Sequence, residues 1–271
     1  MLFRQASLVS VALACSVIAR PYPMHLGKRE VPQEHSHEKF LTSVSASLNL
    51  NNPDDITDSV FALLGSAAAA QGAGTITDTD CLQQAVADQA FTNARAAGDS
   101  QGMVDALIFR ALERNSASVG ATTNACTSIA AVNPEIAAIQ QVYSIVILRQ
   151  DQSLIVIINF QHQDPASPNA AAVNKAITLE LAKQIASIGG DPQDALQAGT
   201  FAPGTVGDPT AKGNTCDDAN DVEGCIFTQN LLVDDATADE IIAAVAGVSA
   251  SDVSASATTA TAAAKVATSS A

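Results

Sequence analysis

Apolar positions recur at helical spacing along most of the chain. Val173, Ile177, Leu181, Ile185 and Ile188 fall at intervals of four, four, four and three, which draws one apolar stripe along a helix. Val104, Ile108, Ala111 and Leu112 repeat the pattern within Asp99–Arg114, and Leu82, Val86, Gln89 and Ala90 do so more weakly behind Thr77-Asp78-Thr79. Start signals precede these stretches. Asn52-Pro53-Asp54-Asp55 stands before Ile56–Leu64, Asn133-Pro134-Glu135 before Ile136–Ile139, Ser167-Pro168 before Asn169–Ile188, and Asp191-Pro192 before Ala195–Ala198. A capping side chain, a proline at the first helical position and early acids suit the free N–H groups and positive dipole of a helix N-terminus. Gly98, Gly189-Gly190 and Gly199 stand where C-terminal caps belong. The pattern predicts an all-α, compact, disulfide-stapled bundle of six to eight helices over residues 30–248.

One stretch departs from this grammar. Val142–Gln161 (VYSIVILRQDQSLIVIINFQ) holds no Ala and no Gly, although 52 of the 271 residues are alanine. Two apolar runs, Ile145–Leu148 and Leu154–Ile158, flank a polar centre that excludes a membrane span. One reading is an atypical β-hairpin. The other is a retained intron. Valine codons begin with GT, Phe160-Gln161 can be encoded as a pyrimidine-rich splice acceptor, and the 20 codons are in phase. Excision would join Gln141 to His162-Gln163-Asp164-Pro165, a helix running into a Pro-terminated loop.

The ends read as processing and display segments. Arg4 followed by the apolar run Ala6–Ala19 predicts a signal peptide over 1–19, and the run is too short to be a membrane anchor. Residues 20–29 end in Lys28-Arg29, the dibasic pair that a kexin-type protease cuts, and are expected to be a propeptide. From Ser249 to Ala271 the chain is almost wholly Ser, Thr and Ala, which predicts a disordered, sugar-bearing tail without the apolar stretch of a GPI signal.

Charge narrows the partners. The net charge is −15, and residues 1–29 hold four of the 13 basic groups and none of the 28 acids. The part from Glu30 onward therefore carries −19. An acidic surface cannot neutralise phosphates, so nucleic acid is excluded as a partner. With aromatics at 4% and no Trp, a sugar-stacking platform is not expected.

Candidate chemistry is sparse. Beyond Cys15 in the signal, Cys81, Cys126, Cys216 and Cys225 predict two disulfides in an oxidising compartment. Of the three pairings, Cys81–Cys126 and Cys216–Cys225 are favoured, because each closes a local loop. Within the second loop, Asp217, Asp218, Asn220, Asp221 and Glu223 offer oxygens to calcium, although Val222 breaks the EF-hand spacing. A solvated acidic turn is the commoner outcome. His35 and His37, within Glu34–Glu38, are two residues apart, too close to share a helix face, and are expected to be solvated. No GxSxG, HExxH or P-loop pattern is present, so neither a catalytic residue nor a cofactor is assigned.

Four blocks carry a resemblance: Gln33–Leu41 (QEHSHEKFL), Phe109–Asn115 (FRALERN), His162–Ser167 (HQDPAS), and Gly213–Asp218 with Gly224–Thr228 (GNTCDD, GCIFT). Together they resemble an alanine-rich secreted protein family of filamentous ascomycete fungi, over most of residues 33–246 apart from 142–161. In that family the chain runs from Ile-Ala-Ala-Leu-like residues straight into His-Gln-Asp-Pro. The resemblance implies an extracellular fungal protein and brings no catalytic residues. The expected function is non-enzymatic, extracellular or wall-associated, with a cell-wall polymer or host surface as partner. A carrier of an apolar ligand is the alternative, and a secreted hydrolase a weaker one.

Overall fold

The computed structural model describes residues 30–140, 144–149, 152–157 and 161–250. The expected signal peptide (1–19) and propeptide (20–29), residues 251–271 of the expected tail and parts of 142–161 lie outside the described residues. What is described is an all-α, disulfide-linked helix bundle with one β-hairpin.

Helix α4 (Ser100–Ala111) is the centre, buried at every position from Gly102 to Ala111. Around it pack α1 (Glu38–Leu48), α3 (Leu82–Ala97), α5 (Pro134–Gln140) and α6 (Ala170–Ser187). Short α2 (Ser66–Ala69), α7 (Cys225–Thr228) and α8 (Ala238–Val245) complete the helices. The α3–α4 corner follows its sequence signals. Gly98 takes the left-handed φ of 70° that a side chain resists, and the Asp99 carboxylate accepts from Gly102 N–H at 2.9 Å. The α6 stripe faces inward, with Ile177, Leu181 and Ile185 fully buried. Helix α8 opens on a capping box between Thr237 and Glu240.

Several expected starts are used differently. Residues 56–64 do not form an α-helix, and only Ser59–Leu63 winds, as a 3₁₀ turn. The Asn52 side chain bonds both Ile56 N–H and its carbonyl, while Thr57 N–H reaches Gly72 O and Thr75 N–H reaches Asp54 O. Those cross-links hold 52–57 as a loop against 72–75. Asn133 does not serve as a side-chain cap, because Asp88 receives its amide and Arg95 donates to its Oδ1. Ser167 leaves the cap of α6 to Asn169, which sits at φ 64° with no side-chain bond. Pro192–Ala198 is 3₁₀ rather than α, capped by Asp191.

Strands β1 (Ser144–Arg149) and β2 (Gln152–Ile157) pair antiparallel, with Ser144 opposite Ile157 and Arg149 opposite Gln152. Two long stretches, 112–133 and 199–224, carry no helix, so the domain is less helical than its composition implies. The disulfides fasten both. Cys81–Cys126 ties the first to the head of α3, and Cys216–Cys225 ties the second to α7. No helix among the described residues is long and apolar enough to cross a membrane.

Candidate functional site

The chain leaves α4 by an abrupt turn. Leu112 adopts extended angles (φ −55°, ψ 145°), and the buried Gln83 amide donates to the carbonyls of Phe109 (2.8 Å) and Leu112 (2.9 Å), which satisfies the frayed helix end. Leu112–Ser116 then runs through the interior. Asn115 N–H donates to Leu63 O, and Ser116 O accepts from Val31 N–H. The Asn115 side chain accepts from Gln33 N–H (3.1 Å) and donates to Glu34 Oε2 (2.7 Å). Successive side chains of an extended segment point to opposite sides. Glu113 and Arg114 accordingly line two different spaces.

On the Arg114 side lies a polar groove of about 250 Å³, walled by Glu30, Ser116, Thr122, Thr123, Asn124 and Asp80. Arg114 is buried beneath it. Its Nη1 donates to Asp80 O at 3.3 Å and stands 3.6 Å from Asp80 Oδ1, while its Nε has no partner. Burial lowers its pKa and Asp80 opposes that shift. Asn124 donates to Asp80 Oδ2, and Glu30 Oε2 accepts from Gly65 N–H. A second open depression of about 430 Å³ adjoins past Glu30 and Asn115, where Pro32, Leu64 and Ala68 meet Glu34 and Lys212.

On the Glu113 side is a cavity of about 10 Å³ that also touches Asp164, Val119, Phe201, Asn214 and Thr215. Burial, then the nearby Asp164 charge, push the Glu113 carboxyl well above the usual carboxylate range. The Gln33 side-chain amide opposes that shift as a hydrogen-bond donor to the carboxyl.

The histidines separate. His35 is partly exposed and pairs with Glu38 at 2.7 Å. His37, expected to be solvated, is buried. Its Nε2 donates to Gly199 O (3.2 Å), its Nδ1 accepts from Ser36 (2.9 Å), and the ring meets Phe227 edge-on at 5.4 Å. The reason is tertiary: Gly224 packs on the Ser36–Glu38 backbone and brings α7 over the ring. His162 is also fully buried. Its Nε2 faces Asn174 O (3.2 Å) and Thr178 Oγ1 (3.1 Å), with Asp235 Oδ2 at 4.0 Å. Burial lowers the pKa of His162 and raises that of Asp235.

The acidic loop divides its oxygens among separate protein partners. Asp217 accepts from His35 N–H, Asp218 from Asn220 N–H, Asp221 from Gly224 N–H and Thr228 Oγ1, and Glu223 pairs with Lys39 at 2.5 Å. Among the described residues no three His, Cys, Asp or Glu side chains gather as a metal would need.

Sequence reasoning singled out neither Glu113 nor Arg114 as a site. The available signal was a run of four polar residues, Glu113–Ser116, following directly on an apolar helix. The four blocks that carry the resemblance do meet in space. Gln33 and Glu34 bond Asn115, Ser36 O accepts from Ile226 N–H, and Asp164 and Gly213 share the Glu113 cavity. Comparison with family models, curated proteins and solved structures finds no match for the chain.

Proposed function

We propose that this is a secreted, non-enzymatic, wall-associated protein whose polar groove above Arg114 holds a hydroxyl-rich polymer of an extracellular surface. The supporting observation is the groove's lining. Hydroxyls of Ser116, Thr122 and Thr123, the amide of Asn124 and the carboxylates of Glu30 and Asp80 form a wall of donors and acceptors over a buried guanidinium with an unused Nε. Such a wall matches polyol hydroxyls, which need both kinds of partner. The absence of tryptophan means that hydrogen bonds, not ring stacking, would supply the affinity. The signal-like N-terminus, the Ser/Thr/Ala tail and the resemblance to secreted ascomycete proteins favour the same reading. The depression by Pro32, Leu64 and Ala68 is open and shares its wall with Glu34 and Lys212, which suits an apolar cargo poorly.

The test is co-sedimentation of the secreted protein with insoluble glucan, chitin and mannan, alongside fractionation of culture medium against wall. The double change Thr122→Ala, Asn124→Ala alters two exposed groove residues, and retention is expected to fall about 5- to 10-fold with the fold intact. Retention by no polymer, or equal retention of the variant, removes the proposal.

A further inference from the structure

Three Asp–Pro bonds occur in the chain: Asp164–Pro165, Asp191–Pro192 and Asp208–Pro209. All three open the same turn. In each, the carboxylate accepts from the N–H two residues on, at 2.8, 2.9 and 2.8 Å respectively. The backbone carbonyl accepts from the N–H three residues on, at 2.8, 3.0 and 3.1 Å. Such a bond is chemically weak for two reasons. The carboxylate closes a five-membered ring when it attacks its own carbonyl carbon, and the leaving nitrogen belongs to a tertiary amide, more basic than an ordinary one. Cleavage then needs a proton for that nitrogen.

Environment separates the three. Asp191 and Asp208 stand in surface turns. Asp164 is 5% exposed, and its second carboxylate oxygen accepts from Gly120 N–H at 3.0 Å. Asp164 and Pro165 line the cavity of about 10 Å³ together with Glu113. That space has room for one water, enough to relay a proton from the Glu113 carboxyl. No Lys, Arg or His lines it, and most of its wall is apolar. Burial first, then the Asp164 charge and more weakly that of Asp235, hold the Glu113 proton at a pH where surface carboxyls have lost theirs, against the pull of the Gln33 amide.

We propose that the folded chain cuts itself between Asp164 and Pro165, with the Asp164 carboxylate as nucleophile and Glu113 as the source of the proton. A carboxylate oxygen of Asp164 bonds to the Asp164 carbonyl carbon and closes a cyclic anhydride. The carbon–nitrogen bond to Pro165 breaks, its electron pair stays on nitrogen, and the nitrogen takes the Glu113 proton through one water. Ser167 N–H, 2.8 Å from the Asp164 carbonyl oxygen, stabilises the negative charge that gathers there. Solvent water then opens the anhydride, which leaves Asp164 with two carboxyls and returns a proton to Glu113. The event occurs once per chain and adds no turnover to the binding role proposed above. It leaves two pieces without a covalent link, because Cys81–Cys126 lies wholly before the cut and Cys216–Cys225 wholly after it.

The test follows the full secreted chain at about pH 5.5, folded or unfolded in urea, by intact mass and non-reducing SDS gel. The folded chain is expected to split at 164–165 about tenfold or more faster than the unfolded chain, and faster than at either surface Asp–Pro bond. Glu113→Gln slows the cut about 100-fold and abolishes the decline in rate that the parent shows as pH rises above the ordinary carboxylate range. Asp164→Asn stops the cut. Pro165→Ala, at a partly exposed turn position, slows it about tenfold and serves if the buried variants do not fold. A parent that stays whole overturns the proposal. So does equal cutting in urea, equal cutting at 191–192 or 208–209, or an undiminished rate in Glu113→Gln or Pro165→Ala.

Discussion

Arg110 is 2% exposed, and its Nε and Nη1 have no partner. Among the described residues no carboxylate stands within ion-pairing distance, and burial followed by the neighbouring Arg114 lowers its pKa to about 10. A buried cation without an acid opposes folding. Arg110→Met keeps the stem and removes the charge, and is expected to stabilise by about 1–3 kcal/mol in denaturant unfolding. A loss of stability would mean that the guanidinium is answered by a bound anion. His37 sets a pH limit. Burial, the largest cause, with lesser contributions from His162 and Lys39, lowers its pKa to about 3, against the pull of the Gly199 carbonyl. An unfolded chain then binds more protons than the folded one between about 3 and 6.5, so stability is full above 6.5 and lost as pH falls. Asp105, raised by burial, works in the opposite sense and loses its contribution as pH rises past the ordinary carboxylate value. His37→Gln should flatten the acid limb of a stability–pH curve, which for this one group amounts to roughly 2–3 kcal/mol between pH 7 and 4.5. Neither residue's burial was legible in the sequence. His37 is internal because Gly199 and Phe227 close over it, and those partners lie more than a hundred residues further along the chain.

Elements were more legible than sites. The α6 stripe and the Gly98-Asp99 corner are local devices, complete within a few residues, and the structure uses them as read. Asn52 and Asn133 misled because an amide that can cap a helix can equally bond a loop or an arginine, and distant groups decide which. The 144–157 ribbon shows the same limit from the other side. Its strands pair only with each other, and Ser144 opposite Ile157 places its two ends side by side. The flanks have their own anchors. Ile136 and Ile139 are fully buried, Arg95 pairs with Glu135 at 2.8 Å, and His162 N–H donates to Ala111 O. Deletion of 142–161 is therefore expected to leave helical circular dichroism and both disulfides unchanged, with Tm within about 4 °C of the parent. A product that does not fold would show the ribbon to be integral. Sequencing the major transcript decides separately whether the segment is intronic.

At the scale of the molecule, the helical core is sheathed on one side by two irregular stretches that disulfides fasten down. Conserving that sheath depends on the first described residues. Val31 is 2% exposed, its N–H donates to Ser116 O, and Glu30 reaches Gly65 N–H. The start of the domain is thus wedged into the same interior that holds Glu113 and Arg114. A processing protease grips its substrate as an extended chain on both sides of the cut. For a cut after Arg29, the residues it must grip downstream are Glu30 and Val31. They cannot occupy the protease cleft and the protein interior together. Were the expected cut after Lys28-Arg29 to occur, it would therefore have to come while that edge is still loose, and a chain that finished folding first would keep the residues before Glu30.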